Sequence, residues 1–310
     1  MKKVLVTGAS GFIGRHTLID LLSKYDEVHG VNNDRSLSEY KNVHWHQVDL
    51  LDGTTRGKLI KNIRPTHLLH LAWYAEPGKY AQSLLNIDWL KASIDLIKEF
   101  TEAGGERVVC AGTCFEYDFS YGFCSEFDTP KNPETIYGVC KNSLQEILRH
   151  YSEKSGLSSS WGRIFYLYGP YEYPGRLVSS VIISLLKGET APCSEGNQKK
   201  DFLHVEDVAR AFVSLLESSI QGPVNIGSGN PISVKDLVLQ IGEIIGRGNL
   251  IRLGARPTPE SEPPMILADD RRLRLELGWS PKYKIDSGLK NTISWWKDNI
   301  KVIIPLKVNI

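Results

Sequence analysis

The amino-acid sequence predicts an α/β protein, a doubly wound parallel sheet joined to a smaller, interleaved C-terminal α/β domain. Two observations carry that expectation. Through the first half, short β-branched runs alternate with stretches of helical spacing, which requires crossover connections and hence a parallel sheet covered on both faces. The chain also opens on an apolar run, a glycine turn and a helix start, VLVTGASGFIG, the order in which a doubly wound sheet begins.

Taken in order, KKVLVTG reads as a strand and 12–24 as a helix. EVHGVNN and NVHWHQVDL are the second and third strands, 54–63 is helical, THLLHLAW is a strand and 80–103 a long helix. RVVCAGTC is the next strand, 136–154 has helical spacing, and SSSWGRIFYLYG is again a strand. Past Tyr168 the character changes to the loop GPYEYPG, helices at 177–187 and 205–218, the strand GPVNIGSG and a helix at 234–245. The stretch ARPTPESEPP then precedes a final helix at 287–298, and is read as an ordered loop over a site, with a linker as the alternative. There is no internal repeat and no low-complexity tract.

At 310 residues the chain can bury one large core and part of a second. With 41% hydrophobic and 24% charged residues, disorder, collagen and coiled coil are excluded. Lys+Arg number 37 against 36 Asp+Glu, so no net field draws the chain to nucleic acid or anionic lipid. No window approaches the ~18 apolar residues of a membrane span, and the N-terminus lacks the pattern of a signal peptide. Five cysteines without CxxC spacing, in a chain that needs no staples, fit a reducing compartment. The expectation is a soluble, cytoplasmic protein with no nucleic-acid partner, no membrane association and no metal.

The opening turn has the spacing GxxGxxG. Gly8 permits a tight turn, Gly11 lets a pyrophosphate approach the backbone, and Gly14 lets helix and strand pack closely, while free N–H groups at the helix start hold the anion. In strand, turn and helix context this reads as a dinucleotide site. The second strand of such a site ordinarily ends in an acid that grips the ribose 2′-OH of NAD. Here the place holds Asn32-Asn33, followed by Asp34-Arg35. An amide tolerates a 2′-phosphate and Arg35 can pair with one, which favours NADP. NAD stays open, with Asp34 shifted into the acid's place or Arg35 facing water. Asp49 and Leu50, ending the third strand, are placed near the adenine.

In YGVCK, Tyr137 and Lys141 lie four apart on one helical face, and Thr113 ends the strand upstream. A tyrosine hydroxyl, pKa ~10, is a poor acid or base near neutrality until an ammonium stabilises its phenolate. The threonine hydroxyl can then hold a carbonyl or alkoxide in line for proton transfer. A surface helix is the alternative for a lone YxxxK.

TGASGFIG, HLLHLAW, Thr113, YGVCK, RIFYLYGP, DFLHVEDVA and VNIGSG, in this order, resemble the extended short-chain dehydrogenase/reductases, within these the nucleotide-sugar epimerase/dehydratase/reductase group, over essentially the whole chain. The resemblance implies an NAD(P)-binding Rossmann domain at 1–168, to which part of 203–228 contributes, and a nucleotide-sugar-binding domain at 169–310. It implies catalysis by Thr113, Tyr137 and Lys141. Cofactor contacts are implied from Gly8, Ser10, Gly11, Phe12, Ile13 and Gly14, from Asn32, Arg35, Asp49 and Leu50, from Leu71, Ala72 and Trp73, and from Tyr137, Lys141 and Phe165. Substrate contacts are implied at Cys114, Tyr166, Arg176, Leu177, Lys200 and Arg256. Lys200 stands where the group's pattern has arginine and lacks its bidentate fork. A surface charge is the alternative for each basic residue, and a core position for Tyr166.

The 4,6-dehydratases of this group carry Asp-Glu directly after the threonine. Here Cys114 and Phe115 stand there, and neither can do that acid/base work. The stretches GTCFEYDFSYGFCSE, ARPTPESEPPM and LGWSP look more like reductases of 4-keto-6-deoxy nucleotide sugars of the CDP-abequose synthase type. The leading expectation is an NADPH-dependent reductase of that kind, in deoxysugar or surface-polysaccharide biosynthesis. An NAD-dependent nucleotide-sugar 4-epimerase is the alternative, and a non-catalytic NADP-binding regulator a remote one. His70 and His204 are expected as packed histidines, Cys114 and Cys140 as small fillers, and Trp295-Trp296 as an anchor for the last helix. The resemblance also implies a homodimer through 80–103 and 136–154, with Leu84, Ile87, Leu90, Ile94, Leu144 and Leu148 as apolar positions, some of which must face the sheet.

Overall fold

The computed structural model describes residues 1–32, 40–259 and 262–303. The elements in chain order are β1 (Lys3–Thr7), α1 (Gly14–Leu22), β2 (Glu27–Asn32), β3 (Val43–Gln47), α2 (Gly53–Ile63), β4 (His67–His70), α3 (Leu85–Glu102), β5 (Arg107–Thr113), β6 (Phe123–Cys124) and α4 (Ile136–Ser155). There follow β7 (Ser158–Ile164), β8 (Tyr166–Tyr168), α5 (Leu177–Lys187), β9 (Ala191–Pro192), β10 (Lys199–His204), α6 (Val205–Leu216) and β11 (Gly222–Ile226). The last are β12 (Pro231–Ser233), α7 (Val234–Ile245), β13 (Ile251–Arg252), β14 (Met265–Ala268) and α8 (Ile285–Ile303).

Seven parallel strands form the main sheet, in the order β11-β7-β5-β4-β1-β2-β3. Alternate residues serve opposite faces, as the pleat demands. Val4, Val6, Val28 and Val109 pack in one core with Leu18 and Leu21 of α1 and Phe212 of α6. Leu5, Val31, Leu68 and Val108 pack in the other with Leu59 of α2, Leu96 of α3 and Leu144 of α4. Burial on both faces is why β1 and β5 carry near-continuous apolar runs. Strand order reverses at β1, between β2 and β4, and ligands bind outside the carboxyl ends of the strands at such a switch point.

The structure corrects the sequence reading in several places. The helix expected over 80–103 is broken: a 3-10 turn at Tyr80–Gln82 ends at Ser83, whose backbone is extended, and α3 begins at Leu85. The strand SSSWGRIFYLYG is two strands. β7 runs beside β5 and β11, whereas β8 pairs with β10 in a second sheet, and the chain crosses between them at Phe165, whose N–H donates to Ile226 O at 3.1 Å. Strands β6, β10, β12 and β14, with the order β12-β10-β14-β6, were not expected. They are two to six residues long and pair with distant segments, so periodicity cannot reveal them. α8 is longer than the 287–298 expected. A third apolar core joins Ile182 of α5, Ile241 of α7 and Trp296 of α8. Among the described residues no helix is long and apolar enough to cross a membrane.

Candidate active site

The glycine turn lies at the carboxyl end of β1. Gly8 has φ +68°, and a Cβ there would stand 2.9 Å from Ala72 N. A Cβ at Gly11 would meet Gly8 O at 3.0 Å, and one at Gly14 the same oxygen at 2.1 Å. Gly11 N donates to Gly8 O at 2.9 Å. α1 then starts with no side-chain cap at Ile13 and no acidic residue in its first turn, so its positive end is left for an anion. The Thr7 hydroxyl braces the turn, accepting from Leu71 N and Ala72 N, each at 3.2 Å, and meeting His70 Nδ1 at 2.7 Å. His70 Nε2 meets Ser93 Oγ at 2.8 Å, and burial pushes the imidazole down to about 3, so it stays neutral. Ser10, Phe12 and Ile13 are half-buried on the turn. Asn32, buried at the end of β2, lies beside the turn, since the preceding Val31 O accepts from Ala9 N at 3.2 Å. Asp49 is exposed after β3, with Leu50 buried behind it. Arg35 lies outside the described residues. A cradle closed to any Cβ, in front of an uncapped helix start, fits the pyrophosphate of a dinucleotide.

Thr113 ends β5, and Tyr137 and Lys141 stand on the first turns of α4. Thr135 caps that helix, its hydroxyl accepting from Gly138 N at 3.1 Å. The half-buried Tyr137 ring sits in an aromatic surround, edge-on to Tyr80 at 4.9 Å and with Trp73 and Phe115 each at 6.5 Å. Burial pushes its phenol up, the Tyr80 hydroxyl adds to this, and a hydrogen bond with the Thr113 side chain acts the other way. Buried Lys141 donates to Ala111 O at 2.8 Å and lies 3.7 Å over the Trp73 ring. Burial brings its ammonium down to about 7. The structure thus brings Thr113, Tyr137 and Lys141 together at the carboxyl edge of the sheet, around a proton-carrying phenol and a poised ammonium.

Beside them is a cavity of about 290 Å³, lined among others by Phe115, Phe119, Tyr166, Lys200 and Glu262. Lys200 Nζ pairs with Glu262 at 2.5 Å and lies 4.5 Å over the Tyr166 ring. Lys200 is therefore a half-buried, paired cation and not a solvated one. Pro259, Glu262 and Pro263, from the stretch ARPTPESEPP, line this cavity. Arg176 is exposed at the start of α5, its guanidinium 5.7 Å from the Tyr80 ring, with Leu177 half-buried behind it. Arg256 is also exposed, its backbone N–H donating to Cys193 O at 3.0 Å, and it does not line the cavity. Cys114 and Cys140 are buried and burial pushes both thiols up, which suits packing and not nucleophilic attack. His204 caps α6 and lies tilted against Tyr283 with ring centroids 4.1 Å apart, and Trp295 lies 4.5 Å from Tyr171.

Sequence reasoning missed Tyr80, Arg15 and Glu116. Arg15 donates to Ser10 O at 2.7 Å and stacks 3.8 Å over the Tyr171 ring. For Tyr80 and Arg15 no sequence signal exists. For Glu116 one did, because Thr113-x-x-Glu116 is a capping-box spacing.

A sequence profile described as the NAD dependent epimerase/dehydratase family matches residues 4–227. A dTDP-D-glucose 4,6-dehydratase of Mus musculus is 26% identical, over 96% of this chain and 89% of its own length. A UDP-glucuronate 4-epimerase of Thermodesulfobacterium geofontis is 27% identical, over 98% of this chain and 99% of its own. The solved structure of MoeE5 in complex with UDP-glucose and NAD superimposes with a TM-score of 0.82 at 29% identity, covering 96% of this chain and 99% of that one. The chain belongs to the NAD dependent epimerase/dehydratase family, the extended short-chain dehydrogenase/reductases, and its seven-stranded parallel sheet is their Rossmann-type fold.

Proposed function

We propose that the protein reduces the C4 ketone of a nucleotide-activated 4-keto-6-deoxy sugar. The bound nicotinamide dinucleotide supplies the hydride. Tyr137 gives the proton to the ketone oxygen, Lys141 stabilises the phenolate left behind, and Thr113 holds the same oxygen by a hydrogen bond. The observation that carries the reading is the neighbourhood of Thr113. The two residues after it, Cys114 and Phe115, form an apolar wall where loss of water from the sugar would need an acid and a base. Lys200 and Arg176 are assigned to the diphosphate of the nucleotide sugar, with Tyr166 and Leu177 against the sugar itself. The division into a dinucleotide part at 1–168, with part of 203–228, and a sugar-nucleotide part at 169–310 belongs to the same proposal.

The epimerase alternative has its own support in the UDP-glucuronate 4-epimerase relative and in the NAD held by MoeE5. One experiment separates the two. The purified protein is mixed with NADPH or NADH and a panel of CDP-, dTDP-, GDP- and UDP-4-keto-6-deoxyhexoses, and absorbance at 340 nm is followed. Stoichiometric oxidation with one of them is the expected result. Tightly retained NAD, with sugar interconversion and no net cofactor consumption, would establish the epimerase instead.

NADPH is the proposed cofactor because the amide of Asn32 ends β2 where a carboxylate would repel a 2′-phosphate. Asn32→Asp combined with Arg35→Ala is expected to swing kcat/KM from NADPH toward NADH by at least roughly tenfold, one charge-assisted hydrogen bond being worth ~1.5–3 kcal/mol. A wild type that already prefers NADH assigns the ribose contact to Asp34.

A homodimer through α3 and α4 is part of the proposal. Leu84 (70% exposed), Ile87, Val139 and Ile147 present apolar surface on these helices, whereas Leu144 and Leu148 are buried against the sheet and take no part. Light scattering at micromolar concentration should give twice the chain mass, and a monomer removes the claim.

A further inference from the structure

Glu116 lies three residues past Thr113 and is 0% exposed. Its Oε1 accepts from Thr113 N at 2.8 Å and from Trp161 Nε1 at 2.9 Å, and its Oε2 accepts from Arg163 Nε at 2.6 Å. Trp161 and Arg163 belong to β7, the neighbour of β5. One carboxylate therefore ties the last residue of β5 to the adjacent strand. It also closes the turn Cys114–Glu116 reciprocally, since Phe115 N donates to the Thr113 hydroxyl at 3.3 Å. The strand makes room for this, because a Cβ on Gly112 would lie 2.0 Å from Trp161 Nε1 and 2.7 Å from Glu116 Oε1.

The same turn is pressed against the helix that carries Tyr137. A Cβ on Gly138 would stand 2.4 Å from Phe115 O. A three-residue turn is thus the part that touches both Thr113 and the start of α4, and Glu116 is its anchor. Arg163 completes the clamp with Tyr117 Oη at 3.2 Å and Gln145 Oε1 at 3.3 Å. An ion pair wholly out of water is weak evidence for stability, since apolar residues of similar volume often serve the fold as well. Its use here is geometric.

The geometry points to Glu116 as a positioning residue, which sets the separation and orientation of the Thr113 and Tyr137 hydroxyls without touching the reacting atoms. The inference rests on the roles proposed above for Thr113 and Tyr137. Misplacement of a reacting group by about 1 Å costs on the order of 100-fold in rate.

The test is Glu116→Asp, which keeps the charge for Arg163 but is one methylene too short to hold Thr113 N and Trp161 together. With dTDP-4-keto-6-deoxyglucose and NADPH, kcat should fall at least roughly tenfold while the sugar KM and the cofactor Kd stay within about threefold, the split expected when only transition-state geometry is lost. A crystal structure of the variant should show the two hydroxyls displaced relative to each other. Unchanged kcat, or hydroxyls that superimpose on the wild type, overturns the inference. Tyr137→Phe, assayed in parallel, keeps the two claims apart. An inactive Tyr137→Phe beside a fully active Glu116→Asp defeats the positioning role alone. An active Tyr137→Phe defeats the reading of the site, and the crystal comparison, which needs no substrate, still decides whether Glu116 sets the spacing. Should Glu116→Asp fail to fold, Trp161→Phe removes one donor and strands no charge. It should lower kcat in the same direction at unchanged KM, and an unaltered kcat overturns the inference.

Discussion

Replacing Tyr137 by phenylalanine is expected to abolish turnover while leaving the cofactor Kd within a few-fold. The ring stays, so its edge-on contact with Tyr80 at 4.9 Å and its packing near Trp73 are kept, and only the transferable proton is lost. A positioned acid contributes about 10²–10⁴-fold, and here the burial that pushes the phenol up also keeps it protonated and ready to donate. The loss should fall on kcat, because the hydroxyl is needed once the sugar is bound. Steady-state kinetics beside a direct cofactor titration check this. Retention of most activity would mean that a different group delivers the proton.

The second large effect concerns Lys141, where activity and stability are expected to move in opposite directions. Its ammonium is brought down to about 7 by burial, against an ordinary value of 10.5 in the unfolded chain. Between those two pH values the unfolded chain binds a proton that the folded one does not, so wild-type stability rises as pH climbs from about 7 to about 10.5. Below about 7 both states are charged and the full penalty applies. Lys141→Met, close in volume and uncharged, removes it. The variant should therefore be more stable than the wild type at pH 7, by on the order of a few kcal/mol, and the gap should close toward pH 10.5. Turnover should meanwhile drop by about 10²–10⁴-fold if, as proposed above, Lys141 stabilises the Tyr137 phenolate. Melting curves across this pH range decide the point. A variant less stable than the wild type at pH 7 would show that the Lys141 bond to Ala111 O outweighs the cost of burying its charge.

The opening turn was legible because each of its demands falls on one residue. Gly14 must lack a Cβ since its neighbour would be Gly8 O at 2.1 Å, and only a glycine letter meets that condition. Thr113, Tyr137 and Lys141 were legible for a related reason, since two of them share one helix face and the third ends a strand of unbroken apolar character. The main sheet followed from the alternation of short β-branched runs with stretches of helical spacing.

The rest waited for the tertiary structure. The second sheet is built from strands of two to six residues paired across thirty or more positions of chain, as Phe202 with Tyr166, so no local period announces it. The break at Ser83 and the sheet change at Phe165 are likewise set by what lies beside them in space. The Lys200–Glu262 pair joins residues that only the folded chain makes neighbours, which is why nothing in the sequence marks Lys200 as paired. Sequence alone determined the fold class, the glycine turn and the placing of Thr113 at a strand end with Tyr137 and Lys141 on one helix, because these depend on backbone freedom and on residues close along one strand or helix. Only the tertiary structure decided which charges are paired and which carboxylate anchors the turn after Thr113, because burial and long-range contact are properties of the folded chain and of no segment of it.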